Sequence, residues 1–466
     1  MKLATWIGGL WSALLLVVSL VLGRSVYLNG PWHGFYGMVY VDLLAVLMLG
    51  LISFVALTAA LYSAGYIRHE VEKGQLTEWQ VLGYYVLFHL FVLIMIAAVV
   101  VENLGFLWIT IEATTLVSAV LVGFYNRKTS LEAAWKYVIL CGAGIAFALL
   151  GLILLYSAAV RAGMDPATAL NWTDLAASAK KLDPAAVRMA FALVLLGFGT
   201  KAGLAPMHSW MPDAYSQAPT PVAILSGALT NTALYAVLRF HVISVRVLGP
   251  AFSGNILLVF GLISLGMSVL FILVQKDFKR LLAYSSVEHM GLICVGIGLG
   301  GPVGLFGAVL HMVGHTMGKA LLFMTAGNIG HRYHTYRMER VQGALRALPF
   351  TGPLMVIGAM AITGMPPTAL FLSEFSIVAA GFNTGRIWVS AVVLLGIALA
   401  FAGMALHLRE MILGDVPHGI HTGERFSWGS VPLLLPLIAV VILGIWIPAP
   451  FAAVLRQVAG LLGGGV

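Results

Sequence analysis

Residues 201–225 read KAGLAPMHSWMPDAYSQAPTPVAIL, directly after the uncharged run MAFALVLLGFGT at 189–200. An ionisable side chain deep in an apolar span costs about 2.5 to 3.5 kcal/mol on insertion scales. Gly203, Pro206 and the prolines beyond them interrupt the helix that would otherwise shelter it. Packing does not ask for a lysine here, so Lys201 reads as a functional residue in a broken membrane helix.

The rest of the chain has the composition this requires. Of its 466 residues, 60% are hydrophobic and 9% charged, and the mean hydropathy is +0.97. Soluble domains carry roughly 45–50% apolar and 25% charged residues, so this is an all-α polytopic membrane protein. The net charge of +8 does not point to nucleic acid, because the basic residues are scattered through short loops and form no stripe. Cys141 and Cys294 both lie in apolar runs without CxxC spacing, which excludes a disulfide framework, a structural zinc site and an iron-sulfur cluster. The expectation is a chain with no cofactor and no metal of its own.

With about 20 apolar residues per span, helices fall near 3–23, 42–66, 81–100, 102–125, 133–158, 188–210, 219–245, 252–275, 281–300, 304–327, 349–379, 387–407 and 429–449, about thirteen spans. The first is too long for a signal-peptide core and lacks a small-residue cleavage site before Arg24. Of the 26 Lys and Arg, fifteen, among them Arg127, Arg280 and Arg425, fall on the side of the N-terminus; nine, including Arg239, fall on the other. The excess places the N-terminus in the cytoplasm and the C-terminus outside. The two left over, Lys201 and Lys319, lie within spans.

The broken helix has a counterpart. Gly203-Leu-Ala-Pro206-Met-His-Ser-Trp210 and Gly364-Met-Pro-Pro367-Thr-Ala-Leu-Phe371 share the pattern G-x-x-P-x-x-x-aromatic, 161 residues apart. Residues 81–245 and 252–407 then form two five-helix repeats, inverted because each has an odd number of spans; 1–80 and 408–466 are terminal additions, the latter a helix and tail. Inverted repeats with matched broken helices mark transporters whose site lies near the midplane, although kinks of this kind also occur singly in membrane helices.

Ionisable residues inside spans mark the path. Glu112, in FLWITIEATTLVSAVLVGFY, has no neutralising neighbour in sequence; Lys201 is the natural partner, a charge pair at about 7 Å gaining roughly 2 kcal/mol at an effective dielectric near 20. In LFGAVLHMVGHTMGKALLFMTAG, residues 305–327, His311, His315 and Lys319 recur every four residues and climb one helical stripe. A proton relay requires such a row of titratable groups. The zincin pattern needs a glutamate after the first histidine, where Met312 stands, and the run 314–320 is too short and in the wrong place for a phosphate loop. Glu374, after the second broken helix, can end the line. Glu288 and His289 either cap a helix or link the repeats; His208 and Asp213 either satisfy freed backbone groups or conduct water. Glu102, His89 and His407 read as interfacial.

Together KAGLAPMHSWMPDAYSQAPTPV, QKDFKRLLAYSSVEHMG, HMVGHTMGKALLF and GMPPTALFLSEF resemble the antiporter-like membrane subunits shared by respiratory complex I, group 4 membrane-bound hydrogenases and Mrp-type Na+/H+ antiporters, over roughly residues 40–410. EATTLVSAVLVGFY, SLEAAWKYVIL and SSVEHMG most resemble hydrogenase-4 component F. The resemblance implies two inverted bundles, each with a half-channel, joined by a polar axis along which protons move. By motif, Glu112 and Lys201 match the glutamate-lysine pair, His311, His315 and Lys319 the central relay, and Glu374 the terminal site. It also implies neighbouring membrane subunits and peripheral hydrogenase or quinone-linked redox subunits in a prokaryotic inner membrane. Rival readings are a Na+/H+ antiporter component and the proton-flow partner of an inorganic-carbon uptake complex. Asn231, in GALTNTALYAVLRF, departs from relatives with a lysine or histidine there and leaves a gap in the axis. One N-terminal helix of the family's fourteen is expected to be missing, and the 17 residues after 449 leave no room for a long lateral helix.

Overall fold

A computed structural model describes residues 2–424 and 428–465; Arg425, one of the cations assigned to the N-terminal side, lies outside the described residues. The elements in chain order are α1 (Lys2–Asn29), a hairpin of β1 (Trp32–Gly34) and β2 (Val39–Val41), α2 (Leu43–Glu72), α3 (Glu78–Val100), α4 (Leu104–Val122) and α5 (Lys128–Arg161). They continue with α6 (Trp172–Ala177), α7 (Pro184–Ala202), α8 (Met211–Gln217), α9 (Thr220–Ile224), α10 (Ser226–Leu248), α11 (Pro250–Val274), α12 (Phe278–Leu299) and α13 (Gly301–Tyr333). The last are α14 (Ala344–Ala347), α15 (Thr351–Ile362), α16 (Ala369–Asn383), α17 (Ile387–Leu413), α18 (Val431–Ile445) and α19 (Ala449–Leu462).

Among the described residues, 11 helices are long and apolar enough to cross a membrane, or 12 with the bent pair α18–α19 taken as one span. The sequence suggested thirteen. The difference comes from the region 349–379: it is two helices of 12 and 15 residues, α15 and α16, each too short to span alone. The end of the chain differs too. What read as a tail is α19, turned 81° from α18 and packed on α13, α2 and α10 through Leu455, Val458 and Leu462.

Helices α10, α12 and α13 are almost wholly buried, whereas α1 presents most of its surface outward. Of these three, α12 carries His289 and α13 carries His311, His315 and Lys319, whereas α1 shows Trp6, Leu10, Leu14 and Val21 to the surroundings. Apolar side chains face lipid and ionisable ones face inward, as the cost of an exposed charge in hydrocarbon requires. Missing side chains permit the tightest contacts. A Cβ on Gly261 of α11 would lie 2.6 Å from the Gly291 carbonyl oxygen of α12, and one on Gly291 would lie 2.7 Å from that of Gly261, the small-residue packing common between membrane helices.

Both helix breaks are built alike. Helix α7 ends at Ala202 and Gly203 takes a left-handed conformation, φ 81°; its N–H donates to Thr200 O (3.1 Å) and that of Leu204 to Gly199 O (2.9 Å). After α15, Gly364 has φ 65°, Gly364 N–H donates to Ala361 O (3.1 Å) and Met365 N–H to Met360 O (2.9 Å). Every residue in the second set stands 161 positions after its equivalent in the first. At both sites glycine takes this φ without the steric cost a Cβ brings, and at Gly364 a Cβ would run into the Glu374 carboxylate. Thr200 O accepts a second hydrogen bond from Trp210 Nε1–H at 2.8 Å, and Ala205 N–H donates to Ser264 Oγ at 2.9 Å. Irregular backbone is tolerated inside a membrane only when it is satisfied in this way.

Candidate functional site

The break in α7 fixes where Lys201 points. The residue sits in the last helical turn, where the negative end of the helix dipole favours a cation, and it is fully buried. Its Nζ donates to Thr115 Oγ1 of α4 at 2.9 Å and to Tyr137 Oη of α5, and lies 4.5 Å from the centre of the Tyr137 ring. Thr115 Oγ1 in turn donates to Glu112 Oε2 at 3.4 Å. The expected pair is therefore bridged: Glu112 and Lys201 make no salt bridge within 4.0 Å, and the Thr115 hydroxyl stands between them. On the other side Tyr137 Oη is 2.8 Å from Ser118 Oγ, which donates to Thr114 O at 2.5 Å. Trp210, from the broken segment, packs on the Tyr137 ring at 4.6 Å between centres.

The stripe on α13 faces α12. Lys319 Nζ donates to Leu282 O at 2.5 Å and to Ser285 Oγ. One turn away, the His315 ring lies 5.2 Å from that of His289, and neither of its nitrogens has a hydrogen-bond partner. A further turn on, His311 Nε2 is 2.9 Å from His289 Nδ1, and His311 Nδ1 is 2.9 Å from Ser373 Oγ of α16. The carboxylate of Glu374 completes the cluster: one donor atom each of His289, His311 and Glu374 lie within 4.8 Å of one another. Among the described residues this is the one group of His, Cys, Asp or Glu spaced to hold a metal ion. Glu288, also buried, is within electrostatic reach of both Lys319 and Glu374. The spatial order is thus Lys319, His315, His289 with His311, then Glu374.

Several residues stand elsewhere than the sequence suggested. Asp213 makes ion pairs rather than bonds to freed backbone groups: its carboxylate pairs with Lys136 (3.2 Å) and Arg280 (2.6 Å) and ties α8 to α5 and α12. Replacing it by asparagine is expected to leave transport at the parent rate and lower the melting temperature slightly; transport collapse in Asp213→Asn vesicles would place it on the path instead. His208 is buried against Phe271 and Tyr284, with Nδ1 unpartnered. Asn231 spans from α10 to α13, its amide donating to Met312 O (3.0 Å) and Thr316 Oγ1 (2.7 Å), while its Oδ1 is left without a partner. His289 lies mid-helix rather than at a loop edge. Thr115, Ser118, Tyr137, Ser285 and Ser373 were not anticipated.

Arg239, counted from the sequence among surface cations, is buried in α10. It donates from both terminal nitrogens to Asp42, at 2.6 and 2.8 Å, and from Nε to Tyr235 Oη at 2.9 Å, with its guanidinium 4.5 Å from the Trp172 ring centre. Asp42 also caps α2 through Ala45 N–H at 2.9 Å. Removing one partner of such a pair strands the other charge, at about 3–5 kcal/mol. Asp42→Ala is expected to lower the yield and melting temperature of the protein markedly; an unchanged melting curve would show that the pair contributes nothing to stability.

Two cavities lie near this machinery. A polar vestibule of about 290 Å³ is lined by Glu70, Lys73, Arg127, Asp277, Lys279 and His331, and Ala218 forms part of its wall. Burial pushes the Asp277 carboxyl above its usual range. A second, smaller cavity of about 20 Å³ has Ala218 as a shared wall and an apolar lining that includes Phe91, Val122, Trp210 and Leu229 beside Tyr137 and Tyr215. Lys279 Nζ donates to Ala218 O at 2.7 Å between the two.

The family described as NADH:quinone oxidoreductase/Mrp antiporter, TM, matches residues 101–400. The chain belongs to that family. A hydrogenase-4 component F homolog of Methylacidiphilum infernorum (isolate V4) is 35% identical over 448 residues, 96% of this chain and 92% of the relative. A Na(+)/H(+) antiporter protein of Alkalihalophilus pseudofirmus is 28% identical over 443 residues, 92% and 85% of the two. A chain of the membrane-bound sulfane sulfur reductase, an archaeal respiratory membrane complex, matches with a TM-score of 0.83 and 25% identity, over 100% of this chain and 96% of that one. The protein is thus an antiporter-like, multi-pass membrane subunit of the type found in complex I, hydrogenase-4 and Mrp assemblies.

Proposed function

We propose that this subunit translocates protons within a multi-subunit membrane complex whose driving reaction is redox chemistry on partner subunits. The carrying observation is the chain of ionisable and hydroxyl groups running from half-buried Glu112 through the buried Thr115, Lys201 and Tyr137, and again from Lys319 through the three histidines to Glu374, all buried. Packing alone gives no reason to bury so many titratable side chains in hydrocarbon.

In this reading a charge change on a neighbouring subunit alters the field at Glu112. The Thr115 hydroxyl, donating to Glu112 and accepting from Lys201, transmits the change to the ammonium. Lys201 Nζ–H breaks as the proton moves on, and protons advance from Lys319 past His315, His289 and His311 to Glu374. Each group takes one proton and gives one up. We assign the repeats to 81–245 and 252–407, on the strength of the matched breaks, and place the chain in a prokaryotic inner membrane with its N-terminus inside. The histidine-glutamate cluster is read as relay rather than metal site, because His289 Nδ1 and His311 Nε2 already engage each other.

Gentle solubilisation from the native membrane followed by mass spectrometry tests the partners: hydrogenase-like or quinone-linked subunits are expected. Recovery of small antiporter subunits alone, with transport that stops when Na+ is removed, would replace this reading by cation/proton exchange. A large zinc protein as the sole partner would replace it by coupling to inorganic-carbon uptake.

A further inference from the structure

Resting on that reading, we propose that Glu424, in the loop after α17, is a positioning residue for Glu374: it ties down the start of α15, Gly444 of α18 backs the break at the other end, and the two hold Gly364 against the Glu374 carboxylate. The observation is a helix start capped from a distance. Helices α2, α3, α7 and α12 each take a side-chain cap from the residue just before them, Asp42, Thr77, Asp183 and Asp277. At α15 that position is Phe350, whose side chain makes no capping bond. The open donors of the first turn go instead to Glu424: Oε2 accepts from Phe350 N–H (3.2 Å) and Thr351 N–H (2.8 Å), and Oε1 accepts from Thr351 Oγ1 (2.6 Å). The helix dipole favours a carboxylate here, and bonds to an ionised acceptor are roughly twice as strong as neutral ones. A cap supplied 73 residues later in the chain is also a tie between two segments.

The tie is anchored on α13, the helix of the relay. Thr351 Oγ1 accepts from Asn328 Nδ2 of α13 at 2.9 Å, and Asn328 Oδ1 accepts from Tyr62 Oη of α2 at 2.9 Å. Arg332, one turn further along α13, donates to the carbonyl oxygens of His421 (2.5 Å) and Gly423 (2.9 Å), in the stretch that leads to Glu424. The loop thus grips α13 and α15 together.

What α15 leads into is the second break. Its last turn meets α13 beside Lys319: a Cβ on Gly318 would stand 3.0 Å from Ile362 Cδ1. Two residues on, the Gly364 backbone lies against the Glu374 carboxylate. From the other side, a Cβ on Gly444 of α18 would run into Pro367 O and the backbone of Thr368, which caps α16 through Phe371 N–H at 3.4 Å and stands six positions before Glu374. Close-packed interiors transmit strain, so a shift at the start of this 12-residue helix reaches Gly364 and the carboxylate it touches. With both ends held, α15 cannot slide. A cavity of about 290 Å³, lined by Tyr62, Asn328, His331 and Glu424, gives the carboxylate room to swing away once released.

The test uses the assembled complex in membrane vesicles, driven by its own electron donor, with transport expressed per assembled complex. Glu424→Ala is expected to slow proton transport at least about tenfold, since a misplacement of about 1 Å can cost up to roughly 10²-fold. Glu424→Gln, which keeps the length and a carbonyl acceptor, is expected to recover most of it. Gly444→Ala pushes the break from the opposite side and is expected to slow transport to a similar degree. The infrared band of the Glu374 carboxyl, assigned by its loss in Glu374→Gln, is expected to shift in both slowed variants. A lower melting temperature with transport and the band unchanged would make Glu424 a helix cap only and overturn the proposal. Parent-rate transport in Glu424→Ala and Gly444→Ala, with Glu374→Gln and Lys201→Ala inactive, would also overturn it and leave the proposed function standing. Parent-rate transport in Glu374→Gln and Lys201→Ala would overturn both.

Discussion

Replacing Lys201 by alanine is expected to lower proton transport roughly 10²-fold in a complex that still assembles. The side chain is fully buried, yet its removal strands no opposite charge in direct contact with it: Thr115 keeps its bond to Glu112, and Tyr137 keeps Ser118. What disappears is the group that holds and releases the proton. Lys201→Arg separates two roles that alanine removes together. Arginine retains a positive charge near Glu112 but does not deprotonate in proteins, so it is expected to be as inactive as alanine. Measuring protons moved per electron alongside subunit stoichiometry checks both. If Lys201→Arg transported at the parent rate, Lys201 would act as a fixed charge, and its proton would have no part in the path.

What could be seen in the sequence, and what could not, follows from cost. Lys201, Lys319, His311, His315 and Glu374 stand out because each is expensive in an apolar span. Hydroxyl residues are cheap there, since a serine or threonine satisfies itself on its own helix, as Ser118 does on Thr114 O and Ser373 on Leu370 O. Nothing local therefore distinguishes Thr115, Tyr137, Ser285 or Ser373, whose partners lie on other helices. The broken helices were legible from Gly-Pro spacing because that pattern has a local cause. Helix α19 was not, because 14 residues with one strong apolar face resemble a tail until α13 is there to receive them.

Charges were misplaced where tertiary pairing decided the matter. Arg239 follows an apolar run and looks like a loop-edge cation, but Asp42, 197 residues earlier, neutralises it in the interior. Asp213 looked like part of the broken helix's polar lining because it follows His208, whereas Lys136 and Arg280 draw it outward. For Glu112 and Lys201, expected as a charge pair several ångströms apart, sequence spacing cannot show that the Thr115 hydroxyl stands between them.

His289 carries the second large effect. At the sequence level it was as much a helix cap as a link; in the fold it is the residue that joins the stripe on α13 into one cluster, hydrogen-bonded to His311 and set against His315. The two roles predict different outcomes. A phenylalanine at this position keeps an aromatic ring of similar volume against His315 but removes both nitrogens. If His289 is a relay group, His289→Phe transports roughly 10²-fold less, while losing a hydrogen bond lowers stability by only about 1 kcal/mol. If it merely braces α12, the melting temperature falls and transport persists. The variant is thus scored on both axes in the same purified complex, with His311→Phe beside it. Because His311 also holds Ser373, and through α16 the neighbourhood of Glu374, its loss should be at least as deep. A His289→Phe complex that still pumps at half the parent rate or more would remove His289 from the path and leave His315 to reach His311 along α13 alone.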